Sequence, residues 1–226
     1  MLLNRLEFAL MNNPLRAAVQ RHFEASRLLR MGGAMKGGAA LELGCGPGVG
    51  AQVILDRFGA DTVDGFDLDP RMVERARRRL AGRAPRARFW VGDATRIPVR
   101  DAAYDAVFDF AIIHHVPDWR RSLSEVGRVL RPGGRFYAEE ALGRFIRHPV
   151  TRRLMDHPLH DRFDRDAFCA ALRAAGLVPE DSNELLGSFA WFVAGKPDSQ
   201  RGDPAVSGAR APGPDPAPRP RTERGR

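Results

Sequence analysis

The sequence contains almost no lysine. Of its 36 basic residues only Lys36 and Lys196 are lysines, and the others are arginines. A bias of this kind, together with 23 glycines and 17 prolines, can reflect coding composition as much as a polyanionic partner. The net charge of +8 therefore permits binding to nucleic acid or anionic lipid without demonstrating it.

Cysteines and long apolar runs are also scarce. The two cysteines, Cys45 and Cys169, are too few and too far apart for a disulfide-rich scaffold. No run approaches the ~20 apolar residues that a membrane-spanning helix needs. Asn4, Arg5 and Glu7 interrupt the N-terminus where a signal peptide would carry its apolar stretch. These absences predict a cytoplasmic protein in a reducing compartment.

Composition divides the chain into three parts. Residues 1–38 are predicted to form a helical cap segment, residues 39–196 the main domain, and residues 197–226, rich in proline and arginine, a disordered tail. Near the N-terminus leucines recur at helical spacing, at Leu2, Leu3, Leu6 and Leu10. Their helix could pack on its own domain, lie on a membrane surface or act as a substrate lid.

The main domain alternates between apolar runs and helical patterns. Runs typical of short buried strands cover residues 39–43, 62–66, 87–91, 104–110 and 135–138. Helical patterns lie between them, at residues 50–58, 70–81 and 119–130. Pro70 suits a first helical turn, with Asp69 as its N-cap. This order predicts a parallel sheet with helices on both faces, whose ligands bind beyond the carboxyl ends of the strands.

A glycine-rich loop, GCGPGVG, follows the first strand from Gly44 to Gly50. Glycines allow positive φ angles and let a ligand approach the backbone, while the next helix points its free N–H groups at the same space. The loop also satisfies the loose dinucleotide pattern G-x-G-x-x-A. At this point both a nicotinamide cofactor and another adenosine cofactor remain open.

Acidic residues follow the second and third strands. Asp67 lies where a carboxylate can accept hydrogen bonds from ribose hydroxyls. Asp93 could accept from the exocyclic amine of adenine, or could simply cap its own loop. Asp69 is expected to cap a helix, and Asp64 is expected to be exposed.

Five motifs occur in one order along the chain: LELGCGPG, GFDLDPRM, VGDA, YDAV with HHV, and EVGRVLRPGG. Together they resemble the class I S-adenosylmethionine-dependent methyltransferases, in particular the small-molecule and lipid type that includes ubiquinone and menaquinone methyltransferases. The likeness runs from about residue 39 to residue 141. The RVLRPGG turn separates this interpretation from a dinucleotide-binding domain.

The resemblance implies an α/β fold: a doubly wound, Rossmann-like, seven-stranded, mostly parallel sheet with a final antiparallel hairpin. A helix over residues 163–175 and strands over residues 177–184 and 188–195 could supply that ending. Gly176 would then end the helix.

The resemblance also implies S-adenosylmethionine as the cofactor. Glu42 would hold its amino group through water, Asp67 its ribose hydroxyls and Asp93 its adenine amine. The full implied set is Glu42, Gly44, Cys45, Gly46, Gly48, Asp67, Leu68, Asp93, Ala94 and Phe110. No metal is implied, since Asp156, His157, His160 and Asp161 lack a specific ligand spacing.

Methyl transfer from a sulfonium requires positioning and sometimes the removal of one proton, so no nucleophilic side chain is needed. The candidate bases beyond the fourth and fifth strands are His114, His115 and Glu140. A structural role for the two histidines remains open. Strand alternation places Glu139 and Glu140 on opposite faces, so at most one of them is expected to reach a pocket.

The acceptor is predicted to be a small or lipophilic molecule, because two features of nucleic-acid methyltransferases are missing. The fourth strand is not followed by an N/D/S-P-P-Y/F segment, and neither cysteine is placed as an attacking thiol. An RNA methyltransferase, a non-catalytic binding protein and peripheral membrane contact remain alternatives. One helix and the segment after it are rich in arginine, at Arg71, Arg75, Arg77, Arg78, Arg79, Arg83, Arg86 and Arg88. These arginines could form a solvated basic face or contact phosphates.

Overall fold

A computed structural model describes residues 13–154, 158 and 160–198 of the chain. Its strands are β1 (Ala39–Leu43), β2 (Thr62–Asp67), β3 (Ala87–Val91), β4 (Tyr104–Phe110), β5 (Leu130–Ala141), β6 (Val178–Leu185) and β7 (Phe189–Gly195). They form one seven-stranded sheet in the order β3-β2-β1-β4-β5-β7-β6. The strands from β1 to β5 pair in parallel, and β7 runs antiparallel to both β5 and β6. The predicted fold is confirmed.

Helices cover both faces of the sheet. They are α1 (Pro14–Val19), α2 (Ala25–Gly32), α3 (Val49–Val53), α4 (Pro70–Arg79), α5 (Trp119–Val129), α6 (Gly143–Ile146), α7 (Pro149–Leu154) and α8 (Arg165–Ala174). Single π-helical turns follow α1 (Gln20–Glu24) and α3 (Ile54–Phe58), and short 3₁₀ turns cover Ala81–Arg83 and Ile113–His115.

Local capping confirms several predicted boundaries. The Asp69 side chain accepts from the amide of Arg71 at the start of α4. Gly176 has φ +78° directly after the last helix. That helix begins at Arg165 rather than at residue 163, because the side chain of Asp164 caps it. The fifth strand is longer than predicted, since the turn before residue 135 joins the sheet with a register shift near Tyr104.

Two apolar layers hold the sheet between its helices. On one face α5 and α8 bury Trp119, Phe168 and Phe192. On the other face α2 and α3 cover Phe108 and Tyr137. The hydroxyl of Tyr137 donates to the carbonyl groups at the end of α2. The described part of the N-terminal segment is therefore packed on its own domain.

The prediction that Asp64 is exposed is wrong. Asp64 lies in β2 and is only 7% exposed. Its carboxylate accepts from Arg88 Nε at 2.7 Å and from the Tyr104 hydroxyl at 2.8 Å. Burial and the charge of Asp64 raise the pKa of Tyr104. Arg88 and Tyr104 are both distant from Asp64 in sequence, so no local pattern predicts this cluster.

Among the described helices, none is both long and apolar enough to cross a membrane. The predicted tail from residue 197 falls almost wholly outside the described residues, as do Asp156 and His157.

Gly127 sets the distance between α5 and the end of α8. A Cβ atom on this residue would overlap the carbonyl oxygen of Ala175. We expect Gly127→Ala to lower the free energy of unfolding by about 1–3 kcal/mol, because overpacking forces backbone shifts. Urea unfolding followed by circular dichroism measures this. Gly82→Ala is the control, since its Cβ would meet nothing within 4 Å, and an equal loss in both variants would contradict the packing argument.

Candidate active site

A cleft of about 970 Å³, counted to its open mouth, lies at the carboxyl ends of β1 to β4. This is the edge where open parallel sheets bind their ligands. The glycine loop forms one wall. Other walls come from the segments after β2, β3 and β4, through Asp67, Leu68, Asp93, Ala94, Phe110, Ile112 and His115.

The glycine loop is held open by Asp67. Gly46 has φ +47°, and a Cβ atom there would meet nothing within 4 Å, so its backbone faces free space. Asp67 Oδ2 accepts from the Gly46 amide at 3.0 Å, and Oδ1 accepts from the Asp69 amide at 2.9 Å. Burial raises the pKa of Asp67, and these two amide donors oppose the rise.

Asp93 accepts hydrogen bonds within its own loop and also lines the cleft. Its Oδ1 accepts from both the amide and the hydroxyl of Thr95 at 2.8 Å. The loop-capping alternative is therefore observed, and acceptance from an adenine amine stays a prediction. Beside it, Leu68 is 42% exposed and Ala94 is buried, which makes this end of the cleft mostly apolar.

A smaller cavity continues the cleft beneath the N-terminal helix. It shares Gly44, Gly46 and Phe110 with the cleft and is also lined by Arg16, Ala17, Gln20, Glu42, Cys45, Pro47 and Val49. Glu42 is 1% exposed, and its Oε2 has no donor in the described part of the chain. Only glycine fits opposite it, because a Cβ on Gly50 would overlap Glu42 Oε1.

The buried carboxyl of Glu42 provides a test of the implied cofactor. Burial raises the pKa of Glu42 well above its ordinary value. An ammonium group would supply the missing donor and compensate the buried charge. The open glycine backbone and the Asp67 carboxylate lie next to it along the same path. These residues fit an adenosine cofactor that carries an amino-acid group.

The structure brings all the predicted cofactor residues except Gly48 to these two cavities. Gly48 lines neither. It has φ +83°, and a Cβ there would press on the backbone of Ala76 in α4. Its conformation serves the packing of loop against helix, and its contact with a cofactor stays a prediction.

The three predicted bases separate into two groups. His115 lines the cleft. His114 and Glu140 line neither cavity and are 4% and 0% exposed. His114 Nδ1 lies 2.6 Å from Glu140 Oε2, which also accepts from the His114 amide at 3.1 Å. These two residues therefore hold the loop that carries His115, and their assignment as bases stays a prediction.

A second buried carboxyl, that of Asp109, also stabilises the loop that carries His115. Asp109 accepts from the Ile112 amide at 2.9 Å, and Glu140 accepts from the Ile113 amide at 2.7 Å. Burial and the charge of Glu140 raise the pKa of Asp109 well above its ordinary value. Burial raises the pKa of Glu140 to about 7. Burial therefore favours a proton on this pair, with Asp109 placed to donate to Glu140.

Glu139 points to the other face, as alternation predicts. Its neighbour there is Glu24, in the π-helical turn after α1. Arg16 Nη1 donates to both oxygens of Glu24, at 2.9 and 2.7 Å. Sequence reasoning missed Arg16, Glu24 and Asp109. An acid inside the apolar run of β4 was a signal for Asp109. Arg16 and Glu24 stand eight residues apart, and no sequence pattern predicts that they pair.

Comparison with known proteins identifies the family. Residues 40–134 match the family described as a methyltransferase domain. The chain is 38% identical over 127 residues to a fatty-acid O-methyltransferase of Mycolicibacterium smegmatis, covering 55% of this chain and 45% of that protein. Residues 40–134 therefore form a methyltransferase domain, and the curated match supports the class I S-adenosylmethionine-dependent type.

Two further likenesses agree with this family. The chain is 33% identical over 176 residues to the phthiotriol/phenolphthiotriol dimycocerosates methyltransferase of Mycobacterium tuberculosis, covering 77% of this chain and 63% of that protein. A crystal structure of an S-adenosylmethionine-dependent methyltransferase from Aquifex aeolicus has a TM-score of 0.66 at 17% identity, covering 84% of this chain and 96% of that chain. This chain therefore spans about half to two thirds of the two curated relatives. The narrower likeness to ubiquinone methyltransferases stays a prediction.

Most arginines of α4 and the segment after it have partners within the fold. Ion pairs join Arg71, Arg78, Arg83 and Arg88 to Asp69, Glu74, Asp56 and Asp64 respectively. Backbone carbonyl groups accept from Arg77, Arg79 and Arg86. These contacts favour a structural and solvated basic face over a set of phosphate contacts.

The proton that burial favours on Asp109 and Glu140 predicts a pH effect on stability. Between about pH 4.5 and 7 the unfolded chain loses these protons before the folded chain does, so the free energy of unfolding falls as pH rises. Asp109→Asn donates permanently to Glu140 and removes the like charge. We expect the fall between pH 5 and 8 to shrink by about 1 kcal/mol or more, measured by urea unfolding at each pH. Asp166→Asn, at an exposed site, should keep the wild-type slope, and equal slopes in all three proteins would contradict a proton on this pair.

Proposed function

We propose that this chain transfers a methyl group from S-adenosylmethionine to a small or lipophilic acceptor. The observation that carries the proposal is the continuous path from Asp93 through the glycine loop to the buried Glu42, inside the region that matches the methyltransferase family. The relatives named for fatty acids and phthiotriols support an acceptor of this class.

When bound, the cofactor would supply a methyl group on a positively charged sulfur, which is a good leaving group. The protein would then need to bind the cofactor and the acceptor and to orient them for the transfer. Asp67 would accept from ribose hydroxyls and Glu42 from an ammonium group. Gly44 and Gly46 leave room for close approach, and Phe110 lines both cavities at their junction.

His115 is the residue placed to accept a proton from an acceptor. Its ring lines the cleft, and the loop beneath it is fixed by amide bonds to Asp109 and Glu140. We infer an in-line displacement in which the acceptor approaches from the His115 side. A histidine side chain held on that side suits the removal of one proton.

The segment that carries His115 favours an apolar acceptor. It also contributes Ile112, Val116 and Pro117 to the wall of the cleft. A hydrophobic wall with few polar groups binds lipophilic molecules better than nucleic-acid backbones. If the acceptor is RNA, the labelling test below will show it. A cytoplasmic location stays a prediction.

The direct test uses labelled S-adenosylmethionine and a cell extract separated into lipid, small-molecule, protein and RNA fractions. We expect the label in the lipid or small-molecule fraction. Asp67→Ala should weaken S-adenosylhomocysteine about tenfold to a hundredfold, because a charge-assisted hydrogen bond is lost, and should lower labelling in proportion at limiting cofactor. Asp166→Ala is the matched control. Label confined to RNA, or no label with any fraction, would overturn the proposal.

The role of His115 is tested separately. We expect His115→Ala to lower turnover about a hundredfold or more, the scale of general base catalysis, with the affinity for S-adenosylhomocysteine unchanged within about threefold. Turnover with the identified acceptor and calorimetric titration give the two numbers. Unchanged turnover in His115→Ala would show that His115 is not the base.

A further inference from the structure

The smaller cavity is lined by both a basic and an acidic side chain, Arg16 and Glu42. Glu42 and the glycine loop line it from the sheet, and Arg16 and Gln20 line it from the N-terminal helical segment. An α-amino acid group carries an ammonium and a carboxylate on one carbon. A carboxylate and a guanidinium that line one narrow cavity are complementary to such a group.

Arg16 has donors left for a ligand. Its Nη1 is used by Glu24, whereas Nε and Nη2 have no acceptor among the described residues. The side chain is 21% exposed and is held from behind by Glu24, whose side chain is 6% exposed. The guanidinium is therefore fixed in position while its remaining edge is available to the cavity that it lines.

Glu24 is in turn supported by Glu139 at the end of β5. Burial, followed by the negative charge of Glu24, raises the pKa of Glu139 well above its ordinary value. In its protonated form, which burial favours, Glu139 can donate to Glu24. The cluster then holds one positive and one negative charge, rather than two buried negative charges beside one arginine.

We propose that Arg16 binds the carboxylate of the cofactor's methionine group, and that Glu24 and Glu139 are positioning residues that aim Arg16 into the cavity. The inference rests on the proposed function only for the cofactor, and is independent of the acceptor. Arg16 would then bind the carboxylate of the amino-acid moiety, and Glu42 would bind its ammonium group.

The test compares two ligands that differ only in that carboxylate: S-adenosylhomocysteine and its decarboxylated analogue, which keeps the amino group. We expect Arg16→Gln in the full chain to weaken S-adenosylhomocysteine about tenfold or more, because a charge-assisted hydrogen bond is lost. The analogue should bind wild type and variant equally, within about twofold. Isothermal titration calorimetry measures both affinities without turnover.

Three controls accompany this variant. Glu42→Gln should weaken both ligands, because both keep the ammonium group. Arg21→Gln, on the same helical segment but lining a different cavity, should weaken neither. Arg16→Lys keeps the charge without the planar fork and should give a smaller loss for S-adenosylhomocysteine alone. It also serves if Arg16→Gln does not fold, which circular dichroism will show.

The positioning residues have their own signature. Glu24→Gln should weaken S-adenosylhomocysteine but not the analogue. Glu139→Ala should do the same, whereas Glu139→Gln, whose amide can still donate to Glu24, should restore wild-type affinity. Equal failure of Glu139→Ala and Glu139→Gln would remove Glu139 from the positioning role.

Two results would overturn the assignment of Arg16: an equal loss for both ligands, which indicates a merely structural role, or no loss for either. If wild type shows the carboxylate preference but labels no fraction, only the proposed reaction fails. If wild type labels an acceptor but Arg16→Gln weakens neither ligand, or weakens both equally, only this inference fails.

Discussion

The structure depends on carboxyl groups buried at the carboxyl edge of the sheet. Glu42, Asp109, Glu139 and Glu140 are at most 6% exposed, and burial raises the pKa of each one. A buried carboxyl is costly unless donors reach it. The loop after β4 folds so that its amides donate to Asp109 and Glu140, which fixes one wall of the candidate active site.

Strand alternation then divides the work between the two faces of one strand. Glu140 faces α5 and holds the loop of His115, whereas Glu139 faces the N-terminal segment and Glu24. Two adjacent glutamates thus support the acceptor side and the cofactor side of one cleft. Asp67 has a similar double role, because the carboxylate that ties down Gly46 also lines the cleft.

Local patterns predicted the fold and most of the candidate site. The strand and helix alternation, the glycine loop and the acids at the strand ends each depend on neighbours in sequence. Asp64, Arg16 and Glu24 could not be assigned in that way, because their partners lie in other elements or two turns away on the helix. For His114 the residue type suggested a base, but its role depends on Glu140, 26 residues later in the sequence.

The placement of these charges has a consequence for the proposed reaction. Positive charge is lost from the donor as the methyl group moves, so a carboxylate beside the reacting centre would stabilise the ground state more than the transition state. Under the proposed function, Glu42 would bind the ammonium group and Asp67 the ribose hydroxyls, rather than the sulfur. At the junction of the two cavities lie Phe110 and glycine backbone, which carry no formal charge. The site can therefore bind a cationic cofactor strongly through its remote groups while leaving the departing charge without an acidic partner.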